Sequence, residues 1–117
     1  RITAIEGGSD AARLRALLEG YEDPNVFCPV ELGFGMNPKA RMGRGSMAED
    51  EGEFGAVHIG LGNGVTFGSA IRAAAHIDLV LKAPTVELDG RVILHNKAFT
   101  LPGLGFRVGK GGNIEEQ

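Results

Sequence analysis

Short apolar runs alternate with glycine- and proline-rich turns along most of the chain, a pattern typical of strands joined by turns. One stretch differs, because its apolar residues recur every three or four positions up to Gly20. It predicts one main helix at about residues 10–19. Two alternating runs joined by Asp89-Gly90 predict a β-hairpin at 85–94, since Asp-Gly suits a two-residue hairpin turn. We therefore predict an α+β fold whose strand-rich sheet is mixed or antiparallel.

Four further apolar runs have the length of strands, and a long polar loop separates the second run from the third. A proline inside the second run limits that strand to a sheet edge or a bulge. The predicted strands are residues 1–5, 26–34, 56–61 and 75–81, and the predicted loop is 35–55.

Polar side chains interrupt the last three of these strands. His76 and Asp78 are two residues apart, so on a strand they point to the same face, where they form either half of a metal site or a plain hydrogen-bonded pair. A carboxylate within an apolar run is costly unless it is paired or bound to a metal. Zinc, cobalt, manganese and iron all take such donors. The sequence predicts a shared metal site with four ligands: Glu31, His58, His76 and Asp78.

Composition and charge narrow the class of protein. The 117 residues suit a single domain over 1–117, and the polar end at 109–117 is predicted to be a flexible tail. A net charge of −3 argues against nucleic-acid and membrane partners, both of which favour basic surfaces. Because Cys28 is the single cysteine and no leader precedes the first strand, we predict a cytoplasmic protein, of which this chain is a later part.

Three motifs in order along the chain resemble a known enzyme family. They are Val30-Glu31-Leu32-Gly33-Phe34-Gly35-Met36-Asn37-Pro38, the run from Glu49 to Gly62 around His58, and His76-Ile77-Asp78. From Arg1 to about Leu101, the sequence is similar to the C-terminal part of the aminopeptidase T and aminopeptidase S metallopeptidases, often labelled leucyl aminopeptidases. The resemblance implies a C-terminal metal-binding domain of a longer hydrolase.

In that family two divalent ions, zinc or cobalt, activate a water against an N-terminal peptide bond, and two-metal sites in general hold their ions about 3.5–4 Å apart. The resemblance places metal ligands at Glu31, His58, His76 and Asp78, and a further glutamate upstream of Arg1. It places no general base among these 117 residues, so we expect that group upstream as well. The implied partners are a small peptide or amino-acyl substrate, an N-terminal domain and a second copy in a homodimer.

Two alternatives stay open at this point. His58, His76 and Asp78 form a two-histidine, one-carboxylate set, which is typical of non-haem iron(II) oxygenases. The same superfamily is similar to ring-cleaving dioxygenases that act on dihydroxypyridines, and Val65 stands where the family's peptidases tend to have a tyrosine. A non-catalytic dimerisation or scaffold domain is the other alternative. Glu31 discriminates between the enzymes, because a single iron does not require a fourth ligand.

Overall fold

The computed structural model describes residues 1–100, 106–108 and 114–116. Within these residues there are one main helix, a second short helix and eight strands, so the predicted α+β class is confirmed. The helices are α1 (Ser9–Glu19) and α2 (Met47–Gly52). The strands are β1 (Pro29–Phe34), β2 (Val57–Gly62), β3 (His76–Leu81), β4 (Val86–Leu88), β5 (Arg91–His95), β6 (Ala98–Phe99), β7 (Phe106–Val108) and β8 (Ile114–Glu116).

The strands form two three-stranded sheets and one two-stranded sheet. In the first sheet β2 is central, in the order β1-β2-β3. Strands β1 and β2 run antiparallel, since Gly62 N–H donates to the Cys28 carbonyl at one end and Gly35 N–H donates to the Ala56 carbonyl at the other. The second sheet has the order β4-β5-β6, and β7 pairs with β8; both are antiparallel.

By their contacts the residues divide into two compact units. The first unit is Arg1–Leu32 with Ile59–Leu79, and the second is Gly33–His58 with Val80–Gln117. The prediction of one domain over 1–117 stays a prediction. The predicted tail at 109–117 lies outside the described residues except for β8.

The first unit has its core beneath α1. Leu18, Val26 and Leu61 are fully or almost fully buried there. Leu14 packs against this cluster from the same helix, as the helical spacing of its leucines requires. The predicted main helix is therefore confirmed by both its limits and its buried face.

The second unit has an aromatic core against which the predicted hairpin packs. Phe54 and Phe99 meet edge to face, with ring centroids 5.6 Å apart, and the fully buried Leu94 of β5 packs with them. Between β4 and β5, Asp89 and Gly90 both have positive φ, at 50° and 76°. Two positive φ values are the signature of a type I′ turn, so the hairpin is confirmed with the turn chemistry that predicted it.

Three local predictions were wrong. Residues 1–5 form no strand, and α2 occupies part of the predicted 35–55 loop. The second predicted strand begins at Pro29 rather than at residue 26, because Pro24–Phe27 form a 3₁₀ turn. The Asp23 carboxylate accepts a hydrogen bond from Asn25 N–H and caps that turn. Apolar composition did not distinguish this turn from a strand, since both bury their side chains.

None of the helices found in the described part of the chain has both the length and the apolar character needed to cross a membrane.

Candidate metal centre

Strands β1 and β3 bring three metal-ligand side chains together within the first unit. Glu31 lies on β1, and His76 and Asp78 lie on β3. His76 Nε2 is 3.2 Å from Glu31 Oε2 and also 3.2 Å from Asp78 Oδ1. One donor atom from each side chain lies within 4.8 Å of the other two, and all three residues are partly buried. This spacing is small enough for one ion to contact all three.

A backbone hydrogen bond orients the imidazole. His76 Nδ1 lies 2.7 Å from the Asn63 carbonyl oxygen. Because a carbonyl can only accept, Nδ1 carries the proton and donates it, which leaves Nε2 facing the two carboxylates. Metal-binding histidines commonly donate their second N–H to a carbonyl in this way. Asn63 therefore holds His76 in the tautomer that a metal ligand needs.

The two carboxylates and the Asn63 carbonyl act on the pKa of His76. Burial lowers the pKa of His76, but the hydrogen bond to the Asn63 carbonyl and the negative charges of Asp78 and Glu31 outweigh it, so the pKa is raised. Two carboxylates converge on a single imidazole that carries at most one positive charge. The cluster therefore favours an added cation, either a proton or a metal ion.

Gly60 makes the approach of the two outer strands possible. It lies on the central strand β2, and a Cβ built there would be 2.7 Å from His76 Cε1 and 2.9 Å from Glu31 Oε2. Any side chain at this position would occupy the space in which the donor atoms meet. A glycine inside an apolar strand is a recognisable signal of such close approach, but the sequence prediction did not use Gly60.

An exposed aromatic ring also borders the cluster and was missed by the sequence prediction. Phe67 lies with its ring centroid 5.3 Å from that of His76, at an interplanar angle of 38°. Its side chain is 56% exposed. The only sequence signal for it is an aromatic residue within a glycine-rich turn.

His58 is the one predicted ligand that does not belong to this group. It is buried in the second unit, where its ring covers Gly33: a Cβ on Gly33 would lie 2.0 Å from His58 Cε1. Within the described part of the chain, the group that could hold an ion consists of Glu31, His76 and Asp78. The ligand role of His58 stays a prediction.

The donor set fits one divalent ion. It combines one imidazole nitrogen with two carboxylate oxygens, a mixture that suits iron, manganese, zinc or cobalt. The structure thus contains a possible metal site, whereas two zinc or cobalt ions are not confirmed.

Comparison with known proteins points to a particular family. The family model for 2,5-dihydroxypyridine 5,6-dioxygenase matches residues 1–100. A curated 2,5-dihydroxypyridine 5,6-dioxygenase from Pseudomonas putida is 26% identical over 101 residues, covering 80% of this chain and 29% of the relative. The chain thus spans less than a third of the length of that relative. No solved structure matches the chain.

These matches correct the predicted family and activity. The assignment to the aminopeptidase T and aminopeptidase S family was wrong, and so was the hydrolase activity, because the matching family and the relative are both dioxygenases. The error has a chemical reason: carboxylates and histidines at strand positions serve zinc hydrolases and iron oxygenases alike. The motifs pointed to candidate metal ligands but did not identify the reaction.

Proposed function

The chain belongs to the 2,5-dihydroxypyridine 5,6-dioxygenase family, and we propose that it provides the iron(II) site of an enzyme that opens a dihydroxylated pyridine ring with dioxygen. In this reaction the bond between ring carbons 5 and 6 breaks, and both atoms of dioxygen enter the product. The observation that carries the proposal is the convergence of Glu31, His76 and Asp78 on one point.

We assign the ligand roles to these three side chains. His76 offers Nε2, and Glu31 and Asp78 each offer an oxygen 3.2 Å from that nitrogen. Two carboxylates neutralise the charge of a divalent ion, and three protein ligands leave other positions open. When bound, iron(II) supplies those open positions and the redox chemistry that the attack of dioxygen on an aromatic ring requires. The proposed ligands are thus one histidine and two carboxylates. The iron site predicted as an alternative from the sequence had His58 in place of Glu31.

The surrounding groups keep the ligands in place. The Asn63 carbonyl holds the proton on Nδ1 of His76, so Nε2 stays available to a metal. Gly60 has no side chain, so it leaves room for the side chains of His76 and Glu31 to meet over the central strand. Both functions are independent of the substrate, so they predict metal binding even before substrate is added.

The remaining expectations concern the whole protein. An upstream domain, a homodimer and a cytoplasmic location stay predictions, and the small peptide or amino-acyl substrate is untested. Because the relative is more than three times as long as the matched segment, we assign substrate binding to the whole enzyme rather than to these residues alone.

The experiment uses the natural full-length protein, reconstituted with iron(II) without oxygen. We expect about one iron per chain by metal analysis, and oxygen uptake when 2,5-dihydroxypyridine is added. Asp78→Asn keeps the size of the side chain but removes its charge, and it should weaken iron binding more than about a hundredfold, since even second-shell changes cost ten- to a hundredfold.

Glu53→Gln is the matched control, because it removes a buried carboxylate of the second unit that is paired with Lys97. It should keep the iron content and the oxygen uptake of the wild type. Full iron content in Asp78→Asn, or no oxygen uptake by the iron-loaded wild type, would contradict the proposal.

A further inference from the structure

Phe67 presents an aromatic face beside the donor cluster of the first unit. Its ring is close enough to His76 for a ring–ring contact, with centroids 5.3 Å apart, yet the side chain stays 56% exposed. An exposed phenylalanine costs solubility and contributes little to a core. Other large apolar side chains are exposed too, so it is the contact of this exposed ring with His76 that points to a ligand-binding role.

The turn that carries Phe67 is fixed by its own hydrogen bonds. Phe67 N–H donates to the Gly64 carbonyl at 3.0 Å, and Gly68 N–H donates to the Val65 carbonyl at 3.1 Å. Val65–Phe67 form a 3₁₀ turn, and Gly68 ends it with a φ of 84°, which glycine adopts without strain. The ring is thus held on an ordered turn rather than on a freely moving loop.

The same segment orients the proposed ligand His76. Asn63 precedes the turn, and its carbonyl accepts the Nδ1 proton of His76. Asn63 N–H donates to the Ala75 carbonyl at 2.8 Å, next to His76 in the chain. One short segment therefore sets the position of both the imidazole and the aromatic ring.

We propose that Phe67 is a substrate-binding residue whose ring stacks on the aromatic ring of the substrate beside the Glu31, His76 and Asp78 cluster. This inference rests on the function proposed above and deepens it. Offset or tilted stacking at centroid distances of about 4.5–7 Å is favourable for aromatic pairs. Phe67 therefore favours a planar aromatic ligand over an aliphatic one.

The test measures ligand binding separately from turnover. The iron-loaded full-length protein is titrated with 2,5-dihydroxypyridine without oxygen, and oxygen uptake is then measured in a second experiment. Phe67→Leu keeps an apolar side chain but removes the aromatic face. We expect it to raise Kd and KM about threefold to tenfold, the range for loss of an aromatic pair, with kcat and iron affinity close to the wild type.

Further variants separate the effect of the aromatic face from effects of side-chain size and of folding. Phe67→Tyr keeps the aromatic face and should bind the substrate as the wild type does. Val65→Ala changes another exposed apolar side chain of the same turn and should alter neither KM nor iron content. Phe67→Met keeps an apolar side chain of similar length and repeats the test if Phe67→Leu folds poorly.

The possible failures are distinguishable. Wild-type protein that binds iron but not 2,5-dihydroxypyridine would overturn the proposed function and this inference together. Wild-type protein that binds and oxidises the substrate, with Phe67→Leu and Phe67→Met unchanged in Kd, would overturn the inference alone. Loss of iron from both Phe67 variants would also overturn it, because it would show that the ring supports His76 rather than the substrate.

Discussion

Each unit takes acidic side chains out of full contact with water, but the groups that surround them differ. In the second unit Glu53 Oε1 lies 2.5 Å from Lys97 Nζ, and its other oxygen accepts a hydrogen bond from Met42 N–H at 2.8 Å. In the first unit Glu31 Oε2 and Asp78 Oδ1 each lie 3.2 Å from the same imidazole nitrogen of His76. Glu53 thus pairs with an ammonium group, whereas Glu31 and Asp78 converge on a nitrogen that can also bind a metal.

This difference separates a structural ion pair from a ligand site. A buried carboxylate with its own ammonium partner and a backbone donor gains nothing from a metal. Two carboxylates beside one imidazole favour an additional positive charge, which a metal ion can supply. We therefore expect changes near His76 to affect metal binding first, and changes near Glu53 to affect stability first.

Of the variants that test this difference, Gly60→Ala should have the largest effect, and it should act on iron affinity. The added Cβ would lie within 3 Å of both His76 and Glu31, so the ligands of β1 and β3 must move apart. We expect iron affinity to fall about ten- to a hundredfold, measured by competition with a chelator. Gly8→Ala is the control, because a Cβ there meets nothing within 4 Å. If Gly60→Ala bound iron as tightly as the wild type, Glu31, His76 and Asp78 would not be the iron ligands.

Lys97→Met should lower the free energy of unfolding by about 1–2 kcal/mol without changing iron affinity. It leaves Glu53, whose side chain is 11% exposed, without its ammonium partner. Loss of one partner of a fully buried pair costs about 3–5 kcal/mol, and the 31% exposure of the Lys97 side chain reduces that value. Urea denaturation of the iron-free protein provides the measurement. If Lys97→Met also lost iron affinity, the Glu53–Lys97 pair could not be a purely structural ion pair.

The smallest expected effect is a dependence of stability on pH. The hydrogen bond from Lys97 holds the pKa of Glu53 below its ordinary value of 4.5, against the opposing effect of burial and with help from Met42 N–H. A lowered folded-state pKa means that the stabilisation is complete above the unfolded pKa and is lost as pH falls through the folded pKa.

Comparison of the wild type with Glu53→Gln isolates this contribution. The wild type should exceed the variant in unfolding free energy at about pH 6, and the difference should shrink as pH falls below the ordinary value of 4.5. Urea denaturation of the iron-free proteins across this range is the measurement. A difference that stays constant with pH would show that Glu53 does not contribute through its charge.

Local patterns predicted the elements whose interactions are close in sequence. The leucine spacing of α1 and the Asp89-Gly90 turn each depend on neighbouring residues, so both were predicted with nearly correct limits. Residues 1–5 and 26–28 were predicted as strands and were not, because strand formation depends on a partner elsewhere in the chain.

In the candidate metal site, too, local sequence patterns predicted some contacts, and contacts between distant residues decided the others. The two-residue spacing of His76 and Asp78 predicted that they share a face, and they lie in contact. Their meeting with Glu31 depends on the order of strands in the sheet and on the empty space at Gly60, neither of which a local pattern contains. His58 does not belong to this group of side chains, although its residue type and its position on a strand had predicted a metal-ligand role.

By itself, the amino-acid order determined the α+β class, the main helix, the hairpin and the kinds of side chain available to bind a metal, because these follow from periodicity and residue chemistry. Only the tertiary structure decided which carboxylates share one imidazole, and it added Asn63, Gly60 and Phe67 around them. The reason is that the order of the strands in the sheet brings Glu31 to His76 and Asp78, and no pattern of neighbouring residues contains that order.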